Sequence, residues 1–183
     1  MNDTATAQPR ATARLADCTE LTTWTSFVFE VRPAEPADEP LLADLLERLT
    51  PEDRRFRFLS AVTRVGHDML ERLTKVDHER SEDFLAFDGD TLIASAMLAA
   101  DPAMERAEVA IAIRPDYKHR GVGWALLALL ARHAAAKGIK LIESIECRDN
   151  VEAISLEKEM GFTATPYPGD STLVLLQKRL GAK

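Results

Sequence analysis

The segment with the clearest chemical potential is Lys118-His119-Arg120-Gly121-Val122-Gly123. Upstream, Glu105 to Ile113 reads as a strand, and it must leave extended at Arg114-Pro115 because the residue before proline avoids the helical region. Downstream, Gly121 to Lys137 is dense in Ala and Leu and closes on Gly138, which predicts a helix. Free backbone N–H groups at such a helix start, with the positive end of its dipole, form an anion site. Gly121 and Gly123 allow phosphate oxygens close to the backbone, and Lys118, His119 and Arg120 add positive charge. Two glycines alone would fit a plain helix start as well as an anion site. The basic residues and the preceding strand point to a pyrophosphate cradle. It is not the dinucleotide fingerprint, since Leu126 stands where that motif needs Gly or Ala. Nor does the chain contain a G-x-x-x-x-G-K-[ST] phosphate loop.

A second candidate lies on the strand itself. Alternation places Glu108, Ala110 and Ala112 on one face, and Val109, Ile111 and Ile113 on the other against a helix layer. A carboxylate followed by two alanines leaves room for a ligand beside it. Other constellations are bland. His67, His78, His119 and His133 have no metal spacing, so no metal site is expected. Cys18 and Cys147 read as free thiols of a reducing compartment. No G-x-S-x-G supports serine hydrolase chemistry. Tyr117 and Tyr167 read as loop structure, and Glu52 to Arg57 as a solvated helix face.

The elements that must hold these residues follow from the pattern. At 183 residues and 46% apolar content the chain fits one domain with a real core, residues 23–183, behind a Thr/Ala/Asp-rich leader over 1–22 expected to be mobile. A strand is expected over Thr25 to Arg32. Helices follow over Leu41 to Leu49, from the Thr50-Pro51 start, and over His67 to Leu73. Phe84 to Phe87 and Thr91 to Leu98 flank Asp88-Gly89-Asp90 as a hairpin. After the central helix come a strand over Ile139 to Cys147, a helix with Asp149 as cap and Glu152 as its capping-box partner, and strands near Phe162 to Thr165 and Thr172 to Lys178. The sum is an α/β fold with a mixed sheet of about seven strands flanked by helices. Net charge is −7, which disfavours a binder of nucleic acid. The N-terminus lacks a signal-peptide pattern, and Arg132 and His133 interrupt the longest apolar run, so a soluble cytoplasmic protein is expected, with no membrane partner.

The turn resembles motif A of the GNAT (GCN5-related) N-acetyltransferase superfamily, [Q/R]-x-x-G-x-[G/A], with Lys118 in the first position. Asn150-Val151-Glu152-Ala153 through Glu157-Lys158-Glu159-Met160-Gly161-Phe162 is similar to the family's N-x-x-A…E-K-x-G-F segment, and the resemblance spans roughly residues 28 to 180. It implies acetyl-CoA as co-substrate, its pantetheine arm along Ile111-Ala112-Ile113, its phosphates on the amides of residues 119 to 124 (Trp124 included), and Asn150 near the sulfur. Ala107-Glu108-Val109 looks like the A-E-[IV] strand of the protein-lysine branch, which implies Glu108 as the base that deprotonates the amine. The tyrosine that many members use as an acid is matched here by Leu156; a thiolate with pKa of about 8.5 leaves adequately without it.

Arg32-Pro33, Leu49-Thr50-Pro51-Glu52-Asp53-Arg54-Arg55-Phe56-Arg57-Phe58, Leu73-Thr74 and Asp77 are similar to the Pat-type bacterial protein lysine acetyltransferase domain, whose members modify acyl-CoA synthetases. The expected acceptor is therefore an amine, foremost a protein lysine such as one on an acyl-CoA synthetase. A small amine (antibiotic or polyamine) and a non-catalytic CoA-binding sensor are the alternatives.

Overall fold

The computed structural model describes residues 18–60 and 65–181. Its elements are β1 (Thr19–Thr22), β2 (Val28–Pro33), α1 (Glu39–Arg48), α2 (Pro51–Phe58), α3 (His67–Thr74), β3 (Ser81–Asp88), β4 (Thr91–Ala100), β5 (Arg106–Ile113), α4 (Val122–Ala136), β6 (Leu141–Cys147), α5 (Val151–Glu159), β7 (Thr163–Pro166) and β8 (Leu173–Arg179). The strands form one eight-stranded mixed sheet in the order β1-β2-β3-β4-β5-β6-β8-β7. That is one strand beyond the seven expected. The addition is β1, which lies in the segment read as leader and pairs antiparallel with β2. The rest of that leader, residues 1–17, falls outside the described residues. The strand expected from Thr25 starts only at Val28, because a turn precedes it: Ser26 has φ 63°, and Thr23 N donates to Phe27 O at 2.8 Å.

Helices cover both faces of the sheet. On one, Leu126, Leu127 and Leu130 of α4 pack with Phe29, Ile93, Val109, Ile142 and Leu176. On the other, Leu42, Leu45 and Leu46 of α1 and Leu70 and Leu73 of α3 pack with Leu85 and Ala112. Burial of each such leucine contributes roughly 1.5–3 kcal/mol. β5 divides between the two cores by simple alternation, with Val109, Ile111 and Ile113 toward α4 and Ala112 toward α1.

Helix ends follow local chemistry, with one exception. Thr50 Oγ1 accepts from Asp53 N at 3.0 Å ahead of Pro51, and α4 stops before Gly138 in the left-handed region at φ 80°. The Asp149–Glu152 capping box does not form. Asn150 occupies the cap position of α5 without a side-chain cap bond, and the Asp149 carboxylate pairs with Arg55 at 3.2 Å.

One feature of the sheet sets up the site. β5 and β6 run parallel and are in register only from Arg106↔Leu141 to Glu108↔Glu143. β5 stays paired to β4 as far as Ile113, and β6 stays paired to β8 as far as Cys147. Past Glu108 the sheet forks. The edge of β5 facing β6 then carries unpaired backbone polar groups over Ile111, Ala112 and Ile113, which need a partner from elsewhere.

Candidate active site

A cavity of about 500 Å³ fills the fork, lined by β5, β6, the start of α4, α5 and α2. At its α4 end, Pro115–Tyr117 makes a short 3₁₀ turn, Lys118 is extended and His119 sits in the left-handed region at φ 60°. Gly121 then caps α4 at φ 82° with no side-chain cap. A Cβ there would lie 2.8 Å from Trp24 Nε1 and 2.9 Å from Thr23 Cβ, so glycine is required by backbone conformation and by the close approach of the β1–β2 turn. At Gly123 a Cβ would meet Ile113 Cδ1 at 3.2 Å and Leu156 Cδ1 at 3.4 Å. The first acceptor bond of the helix is Ala125 N to Gly121 O, at 3.1 Å. The amides of residues 119 to 124 have no acceptor among the described residues. An anion with several oxygens fits that cradle, as a pyrophosphate requires.

The basic residues of the turn divide their roles. Lys118 Nζ pairs with Asp53 Oδ1 of α2 at 2.5 Å, so much of its charge is already balanced. His119 is exposed, its Nε2 3.9 Å from Glu152 Oε1. The Arg120 guanidinium lies over Tyr117 at 4.6 Å and Phe27 at 5.4 Å, while its carbonyl accepts from Thr25 Oγ1 at 2.7 Å. Val122 is buried in the core and offers only its amide; Trp124 is partly exposed beside the cavity.

Glu108 is exposed and lines the cavity at the last paired position of β5, where the fork begins. Deeper in, Glu146 of β6 accepts from Asn150 Nδ2 at 2.7 Å. Burial pushes its carboxyl up to about 7, against the opposing pull of the Asn150 bond and the Arg57 charge. Glu157 of α5 accepts from Ser144 Oγ, and burial with the nearby Glu146 raises it to about 8. Asp83 of β3, fully buried, accepts from Ser95 Oγ at 2.8 Å and is raised by burial to about 7. Half-buried Arg57 faces Asp83, Glu108 and Glu146, with a long contact to Met97 Sδ at 3.8 Å; burial lowers its pKa.

The structure thus brings Glu108, Ile111, Ala112, Ile113, Lys118, His119, Gly121, Val122, Gly123, Trp124 and Asn150 to one cavity and turns the Arg120 side chain away onto aromatic rings. It corrects the reading of Glu52 to Arg57 as a solvated face, because Asp53 and Arg57 point into the site. Their four-residue spacing, which shares one helix face, was the available signal. Glu146 also went unread; its signal was a carboxylate in phase with inward Ile142 and Ser144 on β6. Among the described residues no group of His, Cys, Asp and Glu could hold a metal ion, and no helix is long and apolar enough to cross a membrane.

A glycine-capped helix start with six free amides, beside a forked parallel strand pair, accords with the comparison to known families: residues 42–162 match the model of the acetyltransferase (GNAT) family. The chain belongs to the GNAT family. It is accordingly an acetyltransferase with acetyl-CoA as co-substrate. It is 28% identical over 149 residues to acetyltransferase PA5475 of Pseudomonas aeruginosa, covering 79% of this chain and 80% of that one. In fold it is similar to the GNAT domain of S. lividans PAT, with a TM-score of 0.83 and 23% identity over 89% of this chain and 97% of that chain. It is also similar to yncA, a putative acetyltransferase from Salmonella typhimurium solved with acetyl-CoA, with a TM-score of 0.69 and 18% identity over 84% and 94% of the two chains.

Proposed function

We propose that this GNAT enzyme acetylates lysine side chains on a protein, with Glu108 as the group that takes the amine's proton. The observation that carries the reading is the place of Glu108: an exposed carboxylate at the mouth of the fork, where a side chain presented from another protein's surface can reach it. A lysine ammonium, pKa about 10.4, must lose a proton before it can attack a thioester. Glu108 accepts that proton, the amine nitrogen bonds to the acetyl carbon, and the tetrahedral adduct expels the thiolate of CoA. The free amides of residues 119 to 124 hold the diphosphate, and the open edge at Ile111, Ala112 and Ile113 pairs with the amides of the pantetheine arm. Asn150, already fixed by Glu146, stands at the sulfur end. Leu156 lies against the Gly123 position, so water rather than a side chain relays the adduct's remaining excess N–H proton to the departing thiolate.

The test is incubation of a cell lysate with radiolabelled acetyl-CoA and the enzyme, followed by mass spectrometry of acetylated proteins. Label on discrete protein lysines, lost with Glu108→Gln, is the expected result. Label confined to small amines would refute the lysine acceptor and favour an antibiotic or polyamine substrate.

A further inference from the structure

The protein has two tryptophans, and both stand at the anion cradle. Trp24 comes from the β1–β2 turn and is 76% exposed, an unusual state for the largest side chain; Trp124, on the first turn of α4, is 38% exposed. Both indoles border the main cavity and also a second hollow of about 300 Å³ on the other side of Gly121, where Arg132 joins them. Beyond the Gly121 cap, Trp124, Ala125, Ala128 and Arg132 share one stripe of α4, so the hollow runs away from the cradle along the helix. The β1–β2 turn is fixed over it: Thr25 Oγ1 donates to Arg120 O at 2.7 Å and bonds Thr23 Oγ1 at 2.7 Å. Arg132 is exposed and has no hydrogen-bond, ion-pair or ring partner among the described residues. Two exposed indoles and a free guanidinium beside a diphosphate site call for a ligand with an aromatic base and a further phosphate.

We propose that Trp24, Trp124 and Arg132 form the subsite for the 3′-phosphoadenosine end of the co-substrate, with the base stacked on indole and the 3′-phosphate paired with Arg132. This inference rests on the acetyl-CoA reading of the cradle. In CoA the adenosine is joined to the diphosphate through its 5′ oxygen, so a diphosphate on residues 119 to 124 delivers the base to the adjoining hollow. Every base has a π face, and stacking on an aromatic ring is among the strongest sequence-tolerant contacts to a nucleobase. Arg132 supplies the charge-assisted pair that the 3′-phosphate needs.

Calorimetric titration of the full chain with acetyl-CoA, 3′-dephospho-CoA and 4′-phosphopantetheine tests it. Trp24→Leu is expected to weaken acetyl-CoA binding about tenfold, equivalent to ~1.4 kcal/mol, and to leave 4′-phosphopantetheine unchanged. Trp24→Phe restores most of the loss. Arg132→Gln weakens acetyl-CoA but not 3′-dephospho-CoA. Equal losses for all three ligands, or none in either variant, would overturn the subsite while leaving the cradle intact. So would a dimer in sedimentation that Trp24→Leu dissociates at constant cofactor affinity, since the indoles would then serve a second copy of the chain. If the unaltered protein binds none of the three ligands, the cofactor reading fails first and the subsite with it.

Discussion

Glu157 gives the most quantitative test of how this site is built. Its carboxyl is 6% exposed, bonded by Ser144 Oγ, close to Glu146, and raised from 4.5 to about 8. Each tenfold change in proton affinity is worth about 1.36 kcal/mol. A carboxyl whose folded-state pKa lies above its unfolded value favours folding fully below the unfolded pKa. That contribution is lost as pH rises through the interval from 4.5 to about 8. Across it, Glu157 should cost the folded state on the order of 3–5 kcal/mol relative to its value in acid. Glu157→Gln keeps a carbonyl oxygen for the Ser144 hydroxyl and removes the ionisation. Urea unfolding of both proteins between about pH 5 and pH 8.5 measures the difference. The two should agree within ~1 kcal/mol at the acid end, with the variant gaining several kcal/mol by the alkaline end. Glu146, raised to about 7, adds a slope of its own in both proteins, and Arg57 opposes that slope. Parallel stability curves would refute the claim that Glu157 is held neutral by burial.

Glu108→Gln should lower kcat by about 10²–10⁴-fold with little change in acetyl-CoA affinity, read from steady-state rates and calorimetry; unchanged turnover would remove Glu108 from the mechanism. Gly123→Val places branched methyls between Ile113, Leu156 and the free amides, and acetyl-CoA affinity should fall at least tenfold while the circular dichroism spectrum is preserved. Asp53→Asn removes a carboxylate from the cavity and frees Lys118, so acetyl-CoA should bind a few-fold tighter at low salt, and stability should fall by about 1 kcal/mol. Weaker binding in that variant would show that the ion pair positions Lys118 for the diphosphate.

Much of the fold was legible because it rests on local rules. The Ala/Leu run of α4 with its glycine stop, the Asp-Gly hairpin of β3 and β4, and the alternation of β5 all appear where their patterns predict. β1 was not legible, since Thr19–Thr22 carries little apolar signal and becomes a strand only through pairing with β2. The cap of α5 was misplaced by one residue, because Asp149 and Asn150 both suit the position and the choice depends on tertiary partners, Arg55 and Glu146. In the site, the free amides and Glu108 were readable from sequence. Arg57, Glu146 and Glu157 were not, because a charged residue on a helix or strand is ordinarily solvated, and only the fork brings them together around one cavity.

The parting of β5 from β6 has a cost outside chemistry. A bare β edge in the middle of a sheet invites any extended polypeptide to add itself as a strand. The cofactor's own amide-bearing arm is able to close that gap, so ligand saturation should guard the enzyme against self-association as well as against heat. Purification and storage with CoA present would then preserve a monodisperse preparation that the stripped protein loses.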